Sequence, residues 1–122
     1  MAEAMLLFML VVKHALADLV LQSRLTSGDK SNLKSSKGYI HAGDHGLLTF
    51  VVLLFFTSFQ NSVVIAMLDY VLHFLIDYIK TICVRRFGVV PNTRTFWIVQ
   101  GFDQIAHYSC YFLYVLLLTN LL

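Results

Sequence analysis

The chain has 122 residues, of which 58% are hydrophobic and 13% charged, with a formal net charge of +2. That length suits one domain over residues 1–122, and so few charges cannot cover the exterior of a water-soluble domain, which points to a bilayer as solvent. The small positive balance is unevenly spread and gives no sign of a nucleic-acid partner.

Four apolar segments approach the length of about 20 residues needed to cross a bilayer. The first, residues 2–24, could be mistaken for a signal peptide. It has no basic leader, carries Glu3, and holds Lys13, His14 and Asp18 inside its apolar run, so it is read as a retained membrane helix. His14, Asp18 and Gln22 recur every four residues along it. Lys13 is read as a counter-charge on a different face. A polar loop follows, with Lys30, Lys34 and Lys37 continuing the basic character of Arg24.

The second segment, residues 39–60, opens with His41 and His45, with Asp44 between them. Asp44 is expected to face interfacial water or to cap this helix. Gln60, Asn61 and Ser62 leave room only for a tight helical hairpin. The third segment, residues 62–87, carries Asp69, His73 and Asp77 at four-residue spacing, then Lys80. Asp69 is expected to stand behind His73. Gly88 is placed to end this helix, and Thr93 or Thr95 to cap the next. The fourth segment, residues 95–122, carries Asp103 and His107 four apart, with Gln104 beside them.

Basic residues set an orientation. Lysine and arginine gather at the first and third connections, with Arg85, Arg86 and Arg94 at the latter, and are missing from the second connection and both ends. The positive-inside rule then predicts an all-α, integral-membrane four-helix bundle with both termini outside and two cytoplasmic basic loops. A multi-pass protein of a bacterial inner membrane is the expected setting. Tyr39, Tyr78 and Trp97 fall near the predicted cytoplasmic interface.

Residues four apart share a helix face, so each helix presents one polar stripe. At 1.5 Å of rise per residue, His14 is roughly 15 Å from Arg24, His45 roughly 12 Å from Lys37, His73 roughly 18 Å from Arg85 and His107 roughly 20 Å from Arg94. All the stripes thus occupy the cytoplasmic half, together with all five histidines of the chain. An aspartate at the centre of a membrane helix costs about 3 kcal/mol on insertion scales. A divalent cation held by carboxylates and neutral imidazoles would offset that cost, and such sites are built from side chains projected inward by facing helices. Hydrogen-bonded contacts between helices, or a proton relay, are the competing explanations of any one stripe. Lys80 either snorkels to the interface or holds a substrate phosphate or carboxylate. Cys83 and Cys110 form no spaced motif and are read as free thiols.

HALADLVLQ, then Lys30, HAGDH, HFLIDYIK and FDQIAH together resemble a family of small bacterial and phage membrane proteins catalogued as a domain of unknown function. Its pattern is HxxxDxxLQ, a downstream lysine, HxxxH, HFxIDxxK and DQxxH, and it covers the chain from His14 to His107. Asp44 and Asp69 lie outside it. More distantly, the arrangement is similar to LexA-binding inner-membrane proteins described as metal-dependent hydrolases, and through them to zinc-dependent phospholipases C. That resemblance implies a metal hydrolase without naming its substrate.

The residues expected to bind metal are His14, Asp18, His41, His45, His73, Asp77, Asp103 and His107. One or two divalent ions are expected, zinc first and manganese or iron as alternatives. Asp18 or Asp103 is expected to take the proton from a metal-activated water. Gln22, Lys30, Lys80 and Gln104 are expected to orient or neutralise an anionic group. Membrane lipid is the expected partner, as a phosphate-containing lipid or lipid-linked substrate, and homo-oligomerisation is left open. The alternative is a small ion or proton conductor, or an effector with a structural metal site.

Overall fold

The computed structural model describes residues 1–21 and 30–121. Gln22 and Arg24 lie outside the described residues. The described chain is all-helical: α1 (Ala2–Leu16), α2 (Lys37–Leu53), α3 (Phe59–Arg86) and α4 (Arg94–Leu121), with no strand among the described residues. A π-helical turn, Ala17–Leu21, continues α1. Each helix packs against its neighbours in chain order, and α4 returns to α1.

Local chemistry explains the helix ends. At the end of α3, Gly88 takes a left-handed φ of +58°. Its N–H donates to the carbonyl of Arg85 at 3.3 Å, and that of Val89 to the carbonyl of Val84 at 3.0 Å. This crossed pair satisfies the last carbonyls of the helix and needs a residue without a Cβ at the turn. Of the two threonines expected to open α4, Thr93 is the cap: its Oγ1 accepts from Phe96 N–H at 3.3 Å.

The expected hairpin at Gln60–Ser62 is corrected. The turn spans residues 54–58, and those three residues lie inside the first turn of α3. Ser58 decides this, because its Oγ accepts from the N–H of Asn61 at 3.3 Å and caps α3 earlier than expected. Consequently α2 ends at Leu53, after 17 residues. Two of the four expected spans, Ala2–Leu21 and Phe59–Arg86, are long and apolar enough to cross a membrane. Large apolar side chains stand exposed on the outside of every helix, among them Phe8, Leu47, Val64, Met67, Phe102 and Phe112.

Inside, the packing changes character along the helix axes. Leu6, Leu10, Leu53, Ile65, Val115 and Leu118 form an apolar core at one end. Towards the end bearing the basic connections, the buried positions become Lys13, Thr49, Asp69 and Tyr114, then the histidines. Close approach of α2 to α3 sets the spacing at this level. A Cβ at Gly46 would lie 3.1 Å from the Ala66 carbonyl oxygen and 3.2 Å from Tyr70 Cβ. Small residues of this kind let two helix backbones meet inside a membrane.

Candidate metal centre

The four stripes converge. His14, His41, His45, His73 and His107 are all buried, as are Asp77 and Asp103, while the Asp18 side chain keeps 29% of its surface accessible. Their potential donor atoms fall into three groups, each within 4.8 Å: Asp18 with His41, His45 and His73; His14 with His73 and His107; Asp77 with Asp103 and His107. All eight residues expected to bind metal are in these groups.

The π turn after Leu16 carries Asp18, and wider turns of this kind recur at functional sites. Asp18 reaches two other elements at once. Its Oδ1 stands 3.2 Å from His41 Nε2 and 3.1 Å from His45 Nε2, and its Oδ2 is 3.2 Å from His14 Nε2. Donors around a tetrahedral zinc, at bonds of about 2.0–2.1 Å, stand roughly 3.3 Å apart. Each contact of the carboxylate with an imidazole already has about that spacing, and the one to His45 is also a hydrogen bond.

His73 lies at the centre of the layer. Its ring stacks between His45 at 3.5 Å and His107 at 4.2 Å between centroids. Both of its ring nitrogens are sealed from solvent without a hydrogen-bond partner among the described residues, as are His41 Nδ1 and His45 Nδ1. A buried, unsatisfied nitrogen costs roughly 1–3 kcal/mol, and stacking supplies it with no donor or acceptor. A neutral imidazole is a nitrogen ligand to borderline metals, so the donor set fits a divalent transition ion.

His14 shows how one ring would be held for that task. Its Nδ1 is 2.8 Å from the hydroxyl of Tyr111. With the proton on Nδ1 donated to the tyrosine oxygen, Nε2 is left to ligate, the arrangement by which outer contacts fix a histidine tautomer. Tyr111 was not among the expected residues, although it follows His107 by four positions on the same stripe.

The expectation for Asp69 is corrected, and of the two places expected for Asp44 the cap is ruled out. Asp69 does not back His73. Its Oδ2 accepts from Lys13 Nζ at 2.8 Å and Thr49 Oγ1 at 2.6 Å, and its Oδ1 from Tyr114 OH at 3.1 Å. Lys13 is the counter-charge to Asp69, but it points inward, because a buried carboxylate beside an apolar core needs a cation at contact distance. Asp44 lies well inside α2, too far along to cap it, and belongs to none of the three groups.

Beyond the histidines, at the end bearing the basic connections, a polar cavity of about 270 Å³ opens. Asp18, Lys30, Asp77, Lys80, Asp103 and Gln104 line it, and so do Thr81 and Gln100, which were not expected. Gln100 precedes Gln104 by four residues, and Thr81 follows Asp77 by four, so the periodicity carried the signal for both. Lys30 Nζ donates to Asp77 Oδ2 at 2.6 Å, and Lys80 Nζ to Asp103 Oδ2 at 2.9 Å. Lys80 therefore turns towards the site rather than simply snorkelling. Of the expected anion-binding residues, Lys30, Lys80 and Gln104 are brought together here, and Gln22 lies outside the described residues.

A protein-family model described as "Protein of unknown function (DUF3307)" matches residues 6–122. No curated protein and no solved structure matches the chain.

Proposed function

We propose that this chain, which belongs to the DUF3307 family, is a metal-dependent hydrolase embedded in a bacterial inner membrane. In this reading all four helices cross the bilayer, both termini face outward, and the site opens to the cytoplasmic interface. The substrate is a phosphate-containing lipid or lipid-linked compound. The observation that carries the reading is the layer of five buried imidazoles with two buried carboxylates and the half-buried Asp18, with His73 unsatisfied at its centre.

A bound divalent ion, zinc by preference, would supply Lewis acidity and acidify water. The residues of the chain divide the remaining work. Asp18, in contact with three imidazoles on α1 and α2, draws the donor groups together. Asp103 stands at the junction of site and cavity, with Oδ2 held by Lys80 and Oδ1 free of hydrogen bonds among the described residues. That free oxygen is placed to accept a proton from water, as a general base. Lys30 and Lys80 neutralise phosphate charge, and Gln104 offers both an amide donor and an acceptor.

The competing reading, an ion or proton conductor, needs a polar path across the membrane. Leu6, Leu10, Leu53, Ile65, Val115 and Leu118 pack the outer half with apolar side chains, which favours the hydrolase.

Asp77→Asn separates the two readings. It preserves shape and removes an anion, so a hydrolase should lose product release by orders of magnitude while still inserting and folding. Phosphate or head-group release is measured on a panel of anionic phospholipids and lipid-linked pyrophosphates. Wild-type protein loaded with zinc or manganese that releases nothing, yet dissipates an ion gradient in liposomes, would establish the conductor.

A further inference from the structure

A second concavity adjoins the polar cavity. It is an apolar groove of about 380 Å³ between α3 and α4, walled by Ile76, Ile79, Val99 and Phe102, with Cys83 and Ala106 also lining it. Lys80 and Asp103 line both spaces, so their 2.9 Å ion pair is a shared wall. On one side of that wall lie hydrocarbon side chains, with Ile79 and Phe102 exposed on the exterior. On the other lie the ammonium groups of Lys30 and Lys80, the carboxylates of Asp18, Asp77 and Asp103 that face them, and the histidine layer. An apolar channel meeting a polar chamber that holds two ammonium groups beside a candidate metal centre has the polarity profile of an amphiphile with a phosphate head.

We propose that the α3–α4 groove holds the hydrocarbon tail of a phosphate-bearing lipid whose head lies in the cavity beneath Lys30 and Lys80. The inference rests on the hydrolase reading for the choice of phosphate, and it adds where the lipid lies and how it enters. The lipid moves sideways from the bilayer between α3 and α4, and its phosphate takes the place of Asp103 on the Lys80 ammonium. The displaced Asp103 carboxylate is then available to water. Lysine suits this exchange, because it binds phosphate as a mobile point charge rather than through a rigid fork. A water-soluble phosphate would leave the groove unused.

Cys83 reports on the groove without any need for turnover. It is a free cysteine, and so is Cys110, which lies outside the groove and serves as an internal reference. The metal-loaded protein is placed in dodecyl maltoside micelles, whose sugar head group carries no phosphate. Alkylation by a small membrane-permeant maleimide is followed at each cysteine by peptide mass spectrometry.

Dioleoyl phosphatidic acid at ten times its dissociation constant should slow alkylation of Cys83 about tenfold, since only the free fraction reacts. Cys110 should be unaffected. Dioleoylglycerol, with the tails but no phosphate, and inorganic phosphate, with no tails, should leave the Cys83 rate unchanged. Lys80→Gln should abolish the protection, and so should Ala106→Leu, which fills the groove without touching a lysine. Equal rates in phosphatidic acid and diacylglycerol would overturn the proposal, as would full protection by inorganic phosphate. Protection without any hydrolysis would leave the groove assignment standing and remove the hydrolase. Hydrolysis of short-chain phosphate esters with no protection of Cys83 would do the reverse.

Discussion

Lys13 and Asp69 meet 2.8 Å apart, with 3% and 2% of their side-chain surfaces accessible, between the apolar core and the histidine layer. The pair ties α1 to α3. Thr49 from α2 and Tyr114 from α4 complete the hydrogen bonds of the carboxylate, and Lys13 also donates to the main-chain carbonyl of His45 at 3.3 Å. One ion pair thus joins all four helices directly beneath the histidines.

Removing one partner should therefore be far worse than removing both. Lys13→Met alone leaves a buried carboxylate without its cation and should cost about 3–5 kcal/mol, whereas replacing both ions by apolar residues of similar size is often close to neutral. Denaturation in mixed micelles compares the wild type with the single and double variants. A double variant, Lys13→Met with Asp69→Leu, as unstable as the single one would mean that the stranded hydroxyls of Thr49 and Tyr114, rather than the unpaired charge, set the cost.

Metal content tests the histidine layer. Protein purified without added metal should carry at least one equivalent of a transition ion, and His73→Ala with His107→Ala should remove most of it by elemental analysis. Chelation should lower the melting temperature, because an ion at 100 times its dissociation constant stabilises the folded state by about 2.7 kcal/mol. Wild-type protein that is metal-free and equally stable would defeat the assignment.

Helix spacing can be tested with two glycines of α2. Gly46→Ala drives a Cβ against the Ala66 carbonyl, so it should destabilise the protein by about 1–3 kcal/mol and weaken metal binding by moving His41 and His45 away from His73. Gly43 has open space at the same atom, and Gly43→Ala should be neutral or stabilising by about 0.5–1 kcal/mol. Melting curves and metal titrations of the two variants should diverge.

The proposed orientation predicts the behaviour of fusions. A phosphatase that folds only outside the cytoplasm should be active when joined after Leu122, and a reporter that fluoresces only in the cytoplasm should stay dark there. The opposite pattern would place the lysine-lined cavity on the other side of the membrane and remove the cytoplasmic-leaflet substrate.

Whatever depends on one helix at a time can be read from the order of residues. The four-residue spacing of His14 with Asp18, His73 with Asp77, and Asp103 with His107 places each pair on one helix face wherever the helix goes. Gly88 and Thr93 end and begin their helices through bonds to residues a few positions away, so their roles were legible too. Ser58 is equally local, but the polar Gln60–Ser62 stretch is the stronger turn signal, and it points to a hairpin later than the one that Ser58 caps.

Which stripe meets which is a property of the packed bundle. Asp69 shares a face with His73 yet bonds to Lys13, because a carboxylate buried beside an apolar core is stabilised most by the nearest cation, and that cation came from another helix. Lys30 finds Asp77 across 47 positions. Nothing in the intervening residues encodes that distance. Helix rotation and axial offset are set by the packing of whole surfaces, such as Gly46 against Ala66, and these fixed the histidine stack, the Lys80–Asp103 wall and the groove beside it.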